Sequence, residues 1–248
     1  MCERAVFLSR LEFSVLLMAE GVEEIRCFTL PGAKDVNRKE MIEAVHGLIL
    51  KGFLQVEDKG ISLSLELASM TECIKGSTAC LFVEPGDLYQ PQRIVYIGGQ
   101  AAVLENADDT NSGFRLFIKE PENLWAWLED TFDLPKTAVM SKAEAGELVR
   151  LNQLAEEELR RLQEWEYPGN AAGIRFWMEQ LREGFGETPF LGIRFIRSCD
   201  GQTCKDLILL PGSANMWFLW RGREKLEVMP DSIETRKEME TLFWREAE

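Results

Sequence analysis

Cys199 and Cys204 are the residues whose types and spacing come closest to a reactive or metal-binding site. They bracket the run 200–203, whose Asp-Gly step is typical of a hairpin turn. Two thiols that face each other across a hairpin could form a disulfide or supply half of a metal site. The chain has no second close cysteine pair, and its single histidine, His46, lies far away in sequence. Two ordinary strand-end thiols are therefore the favoured interpretation, and their pairing stays open.

Catalytic motifs are absent from the sequence. It contains no phosphate-binding loop, no dinucleotide fingerprint, no His-Glu-x-x-His and no Gly-x-Ser-x-Gly. Histidine-based catalysis would depend on His46, which stands between Val45 and Leu48 in an apolar helical pattern and is expected to be a partly buried structural residue. We therefore expect no enzymatic activity, no catalytic residue, no metal and no cofactor.

A loop braced by prolines is the first candidate for partner binding. Leu88, Tyr89 and Gln90 lie between Pro85 and Pro91. Apolar side chains exposed on such a loop would suit a protein partner. We expect these three residues to contribute to a binding surface.

Two tryptophans are the second candidate. Trp217 and Trp220 belong to one apolar run, at positions that alternate to opposite faces of a strand. One ring should face the core, and the other should lie on the opposite face, under a helix or at an interface. Core packing is the simpler explanation for at least one of them, and both stay partner-binding candidates.

Composition restricts the class of protein. The 248 residues are 46% apolar, carry a formal net charge of -14 and contain six scattered cysteines. Such a chain can bury a large core, and its cysteine usage favours free thiols in a reducing compartment. The acidic balance argues against binding to nucleic acid and to anionic membranes. No apolar run is long enough to cross a bilayer, and residues 5–8 are too short for a secretory signal, so we expect a cytoplasmic protein.

Helix starts are well marked in this sequence. Ser9, Asn37 and Ser141 each stand three residues before a glutamate that can reach back to the cap. The second predicted helix, which places Met41 and Ile42 on one apolar face with Leu48, is followed by a short hairpin pattern over 53–63. This order is the outline of a winged helix.

The charges of the winged-helix segment bear on its use. Between Ala33 and Gly60 five positive side chains are matched by five negative ones. A recognition helix that lies against phosphates needs an excess of donors and cations. The segment is therefore expected to be a structural or protein-binding module.

A doubled pattern organises the whole chain. Residues 77–132 and 188–243 each contain short apolar runs that end in an amphipathic segment, at an offset of about 111 residues. The close spacing of the runs predicts antiparallel strands. We expect an α+β fold of two pseudo-symmetric halves, 1–135 and 136–248, which share one antiparallel sheet flanked by helical bundles. The predicted strands are 79–84, 93–98, 101–105, 113–119, 190–197, 204–210, 215–221 and 224–229.

A characteristic order of elements is marked by Ser9 to Phe13, Pro31, Leu50 to Leu54, Leu65 to Ile74 and Ile94 to Ile97. This order resembles that of the EspG family. Members of that family are cytosolic chaperones of type VII secretion, built as two similar halves around an antiparallel sheet. The resemblance implies a protein partner, a helical secreted substrate, bound through sheet and loop surface that includes residues 85–91.

Two other function classes stay open. A winged-helix transcriptional regulator would bind DNA, and a small-molecule-binding protein or enzyme would use a pocket between the halves. The expected partner of the leading hypothesis is a protein, with no nucleic acid and no membrane insertion.

Overall fold

A computed structural model describes the greater part of the chain. The described residues are 5–22, 25, 37–57, 60–87, 89–106, 113–120, 124–135, 151, 153, 172–185, 188–197, 204–211, 216–221 and 226–245. The predicted helix that starts at Ser141 and the turn between Cys199 and Cys204 lie outside them, apart from Leu151 and Gln153, which are helical. No described helix is long and apolar enough to span a membrane.

The described elements alternate between helical segments and antiparallel strands. The helices are α1 (Arg10–Ala19), α2 (Arg38–Leu50), α3 (Leu65–Lys75), α4 (Leu124–Thr131), α5 (Ala172–Phe185) and α6 (Ile233–Arg245). The strands are β1 (Val6–Ser9), β2 (Leu54–Glu57), β3 (Gly60–Leu63), β4 (Ala79–Pro85), β5 (Arg93–Ile97), β6 (Ala101–Asn106), β7 (Gly113–Lys119), β8 (Leu191–Arg197), β9 (Cys204–Pro211), β10 (Met216–Arg221) and β11 (Leu226–Pro230).

Nine of these strands form one sheet, which confirms the predicted α+β class. Their order is β1-β7-β6-β5-β4-β8-β9-β10-β11, and every neighbouring pair is antiparallel. From the centre of the sheet, β4 to β7 follow one another towards one edge, and β8 to β11 follow one another towards the other edge. The antiparallel pairing of β4 with β8 joins the two series into a continuous sheet.

The register of the inner strands shows the pseudo-two-fold relation of the two series. Phe82 of β4 is opposite Ile94 of β5 on one side and opposite Arg194 of β8 on the other. Arg194 in turn is opposite Asp206 of β9. Adding 112 to the numbers of Phe82 and Ile94 gives Arg194 and Asp206. The repeated pattern in the sequence thus reflects two meanders related about the β4–β8 pair.

Helices cover both faces of the sheet. Face A, the side that carries Phe82, packs against α1, α3 and α5. Face B, the side that carries Val83, packs against α4 and α6. The side chains that α5 buries on face A are Ile174, Trp177, Met178 and Leu181. On face B the buried side chains are Leu124, Trp125 and Leu128 of α4 and Met239 of α6. Burial of these apolar surfaces is the main favourable contribution to folding.

The N-terminal segment begins with a strand that the sequence patterns did not predict. β1 pairs with β7 at one edge of the sheet, with Val6 opposite Leu116. Ser9 ends the strand and caps α1, and Glu12 completes the capping box. Lys51 at the end of α2 donates to a carboxylate oxygen of the buried Glu12 at 2.6 Å and to the Phe7 carbonyl at 3.2 Å. A single lysine therefore ties α2 to α1 and to the edge strand.

The winged-helix-like outline is present as α1, α2 and the β2–β3 hairpin, but two expectations for α2 were wrong. His46 is exposed rather than partly buried, and Met41 and Ile42 are exposed as well. Ala44 and Leu48 occupy the buried positions of this helix. Because successive residues turn by about 100°, His46 lies roughly 200° from Ala44 and faces the opposite side.

A buried ion pair joins β8 to β9 next to the centre of the sheet. Arg194 Nε donates to Asp206 Oδ1 at 2.7 Å and Arg194 Nη2 donates to Asp206 Oδ2 at 2.9 Å. Both side chains are 0% exposed. The equivalent residues in the meander of β4 to β7 are Phe82 and Ile94, which are apolar. The fold therefore accepts either an ion pair or an apolar pair at these two positions.

This ion pair leads to a stability prediction. Arg194→Met removes a counter-ion to which the buried Asp206 carboxylate is bound, and should lower the free energy of unfolding by about 3–5 kcal/mol. The double variant Arg194→Met/Asp206→Leu, which imitates the apolar pair of the other meander, should recover most of that loss. Urea unfolding midpoints of the three proteins measure the effect. A double variant no more stable than the single one would contradict the prediction.

Candidate functional site

The predicted partner-binding loop connects the central strand β4 to β5. Pro85, the last residue of β4, lies opposite Leu191, the first residue of β8. The loop therefore leaves the sheet beside the central strand pair, at the end where the chain enters β8 from α5. All seven residues of β4 are buried, so the loop starts from a fixed base.

Local hydrogen bonds shape the loop. The Tyr89 amide donates to Asp87 Oδ1 at 2.9 Å, and the Gln90 amide donates to the Asp87 carbonyl at 3.1 Å. An aspartate that accepts from the amide two residues later is a recurring turn-forming device. The turn leaves Tyr89 89% exposed, while Gln90 is half-buried.

A glycine brings the loop into close contact with the chain before β8. The Gly86 amide donates to the Phe190 carbonyl at 2.9 Å. A Cβ atom at Gly86 would overlap the Pro189 carbonyl oxygen. The contact requires glycine because it is backbone against backbone, which no side-chain rotation can relieve.

The base of the loop is closed by a buried carboxylate on face A. Glu84 accepts from Gln92 Nε2 at 2.6 Å. Arg175 of α5 donates from Nε to Glu84 Oε1 at 3.0 Å and from Nη2 to Glu84 Oε2 at 3.3 Å. Glu84 is only 4% exposed, so these bonds supply the partners that a desolvated charge needs.

A second cation holds the far end of the loop on face B. Arg93, the first residue of β5, donates to the Pro91 carbonyl at 3.0 Å and to Glu105 at 2.6 Å. Its guanidinium lies 4.7 Å from the centre of the Phe132 ring, within cation–π range. Burial lowers the pKa of Arg93, and the charge of Glu105 opposes that shift. Both ends of the loop are thus fixed by charge-assisted hydrogen bonds.

The structure separates the other predicted site residues. Trp217 is 1% exposed and belongs to the core of face A, whereas Trp220 is partly buried on face B. The ring centre of Trp220 lies 5.9 Å from Lys205 Nζ. The opposite orientation of the two rings follows the predicted alternation, and Trp217 is the one that packs the core. Leu88 lies outside the described residues.

Sequence reasoning missed the residues that hold the loop. Glu84 gave a weak signal, since it is an acidic residue at the end of an apolar run. Arg175 gave none, because it stands 91 residues away from Glu84. Arg93 was assigned to a predicted strand without a role. The Glu84–Arg175 pair depends on the packing of α5 against the sheet, and the Arg93–Glu105 pair depends on the register of β5 and β6.

The described part of the chain holds other titratable groups. No described group of three or more His, Cys, Asp or Glu residues could hold a metal ion. Cys73 and Cys80 are in the thiol form, and burial raises the pKa of Cys73. Arg236 of α6 binds the buried Asp231 at 2.6 and 2.5 Å and also contacts Glu129 of α4. Arg236 therefore joins α6 to α4.

Comparison with known proteins yields a likeness of fold. The chain matches no protein-family model and no curated protein. It is similar to a chain in the solved structure of the Mycobacterium tuberculosis type VII secretion system chaperone EspG5 in complex with the PE25-PPE41 dimer. The match covers 99% of this chain and 97% of the other, at 11% sequence identity and a TM-score of 0.51. At this identity the likeness shows a shared fold. It is a distant structural resemblance to a protein of the EspG family, the family that the element order resembles.

The glycine contact generates a prediction for the site. Gly86→Ala should displace the loop from residues 189–190 and lower the free energy of unfolding by about 1–3 kcal/mol, because overpacking against backbone forces a shift. Gly99→Ala is the matched control, since a Cβ there meets no atom within 4 Å. Thermal unfolding of both variants measures the difference. Equal stability of the two variants would show that the close contact at Gly86 is not present.

Proposed function

We propose that this chain is a non-enzymatic protein-binding protein, a cytoplasmic chaperone or adaptor for a helical substrate of type VII secretion. The likeness in fold to a chain of the EspG5 structure supports the chaperone part, because EspG5 is a secretion chaperone and is bound there to a protein dimer. The element order of the N-terminal half supports the same family. The proposal treats residues 1–135 and 136–248 as two halves of one unit and assigns no catalytic residue and no cofactor.

One observation carries the choice of surface. Tyr89 is 89% exposed on a loop whose two ends are tied to the sheet. An aromatic ring kept in water gains free energy when a partner covers it, and tyrosine is enriched among residues that dominate interfaces. A loop whose two ends are fixed loses less entropy on binding than a free one. Leu88 and Gln90, its neighbours in sequence, complete the proposed contact.

The two tryptophans enter the proposal differently. Trp220 is partly buried and could be covered further by a partner on face B. Trp217 lies within the core, so its part in binding would be to support the sheet. The contact surface of the proposal is therefore centred on Tyr89.

The chemistry of the partner follows from charge. The chain carries a formal net charge of -14, which disfavours nucleic acid and anionic membrane surfaces as partners. An acidic surface favours a partner with a neutral or basic contact face. A helix with apolar positions on one side and lysine or arginine beside them fits this description.

Replacement of Tyr89 tests the proposed surface. Tyr89→Asp should weaken partner binding by about 2 kcal/mol or more, roughly 30-fold in Kd, because it removes the central aromatic contact. Partners are captured from native cytosol on the tagged protein and identified by mass spectrometry. Their affinity for the parent protein and the variant is then measured by calorimetry.

Leu65→Asp is the matched control. Leu65 is 92% exposed, and it lies in the first turn of α3, where an aspartate is well tolerated. This variant should keep the affinity of the parent protein. Retention of every partner by Tyr89→Asp would show that the loop is not the binding surface. DNA shifted in a gel at low salt, in place of a protein partner, would favour the winged-helix regulator.

A further inference from the structure

The ion pair at the base of the β4–β5 loop has an unusual distribution of burial. The Glu84 side chain is 6% exposed, whereas the Arg175 side chain is 52% exposed. A buried carboxylate needs a cation or several donors, but a half-exposed arginine does not need a carboxylate, because water can solvate it. The pair therefore matters for the placement of Glu84 much more than for the placement of Arg175.

Glu84 connects the two ends of the loop. It is the next-to-last residue of β4, and its carboxylate accepts from Gln92, the residue before β5. One carboxylate thus closes the loop across its base, and the fork of Arg175 fixes the orientation of both its oxygens. Without the arginine, the neutral Gln92 amide would be the remaining described partner of a desolvated charge.

Removal of the arginine should act on the loop and leave the sheet in place. β4 keeps its ladders to β5 and β8, and Gly192 of β8 keeps its contact with α5. The carboxylate of Glu84, however, loses two of its three described hydrogen bonds, and a turn toward water would take it away from Gln92. That movement would release the closure of the loop and, with it, the turn that presents Tyr89.

We infer that Arg175 is a positioning residue, which acts through Glu84 and Gln92 to order the β4–β5 loop. The importance of that order for partner binding depends on the proposed function of the loop. Arg175 belongs to α5, 91 residues from Glu84, so the second half of the chain sets the conformation of a loop in the first half.

Hydrogen–deuterium exchange of the loop amides tests the inference without a partner. The amides of Gly86, Tyr89 and Gln90 are protected by the bonds already described, to Phe190 and Asp87. Arg175→Ala should speed their exchange on the order of tenfold, because local opening becomes easier, while amides of β4 and β8 keep the parent rate. Arg175→Lys should restore part of the protection, since a lysine supplies charge but no fork.

A double-mutant cycle distinguishes positioning through Glu84 from a general effect. In the Glu84→Gln background, Arg175→Ala should change loop exchange less than about twofold, because the Glu84 charge to which Arg175 donates is gone. Glu179→Gln, one turn further along α5 and exposed, is the matched control and should leave exchange at the parent value. Unchanged loop exchange in Arg175→Ala, or an equal effect in the Glu84→Gln background, would overturn the inference.

The binding assay separates this inference from the proposed function. If loop exchange responds as expected and captured partners bind both Arg175→Ala and Tyr89→Asp as they bind the parent protein, the proposed surface is wrong while the positioning role stands. If Tyr89→Asp loses the partner and Arg175→Ala leaves loop exchange unchanged, the surface is supported and the positioning role is wrong.

Discussion

The antiparallel pairing of β4 with β8 is the constraint on which the rest of the structure depends. Every residue of β4 is buried, so its backbone groups must find partners within the sheet, and β5 and β8 supply them on either side. The pairing joins two four-stranded meanders side by side into one sheet, which is wide enough for helices to cover on both faces. It also places the β4–β5 loop beside the chain that enters β8.

Few charged side chains are buried in this core, and the buried ion pairs join neighbouring strands or connect a strand to a helix. Arg194 and Asp206 form an ion pair across β8 and β9. Glu84 and Arg175 join β4 to α5, and Arg93 and Glu105 join β5 to β6. A desolvated charge without its partner is costly, so such pairs fix the register and orientation of the elements that carry them. The loop with Tyr89 is held between two of these pairs, one on each face of the sheet.

Much of the fold could be predicted from local pattern, because each pattern had a local physical cause. Capping boxes at Ser9 and Asn37 marked helix starts that the structure confirms. Short β-rich runs gave the strands of both meanders to within a few residues. The edge strand β1 escaped, since four residues give too short an alternation to distinguish from an apolar terminus. The exposure of His46 was also missed, because apolar neighbours in sequence do not fix which side of a helix faces the core.

The sequence by itself determined the α+β class, the antiparallel meanders, the doubled organisation and the position of an exposed loop between two prolines. Those properties depend on residue periodicity, turn chemistry and composition, which are local. Only the tertiary structure decided that Trp217 is core, that Gly86 touches Pro189, and that Glu84 meets Arg175. The last two contacts join residues about a hundred positions apart, and the energies of all three features depend on desolvation, which exists only once the sheet and its helices have excluded water.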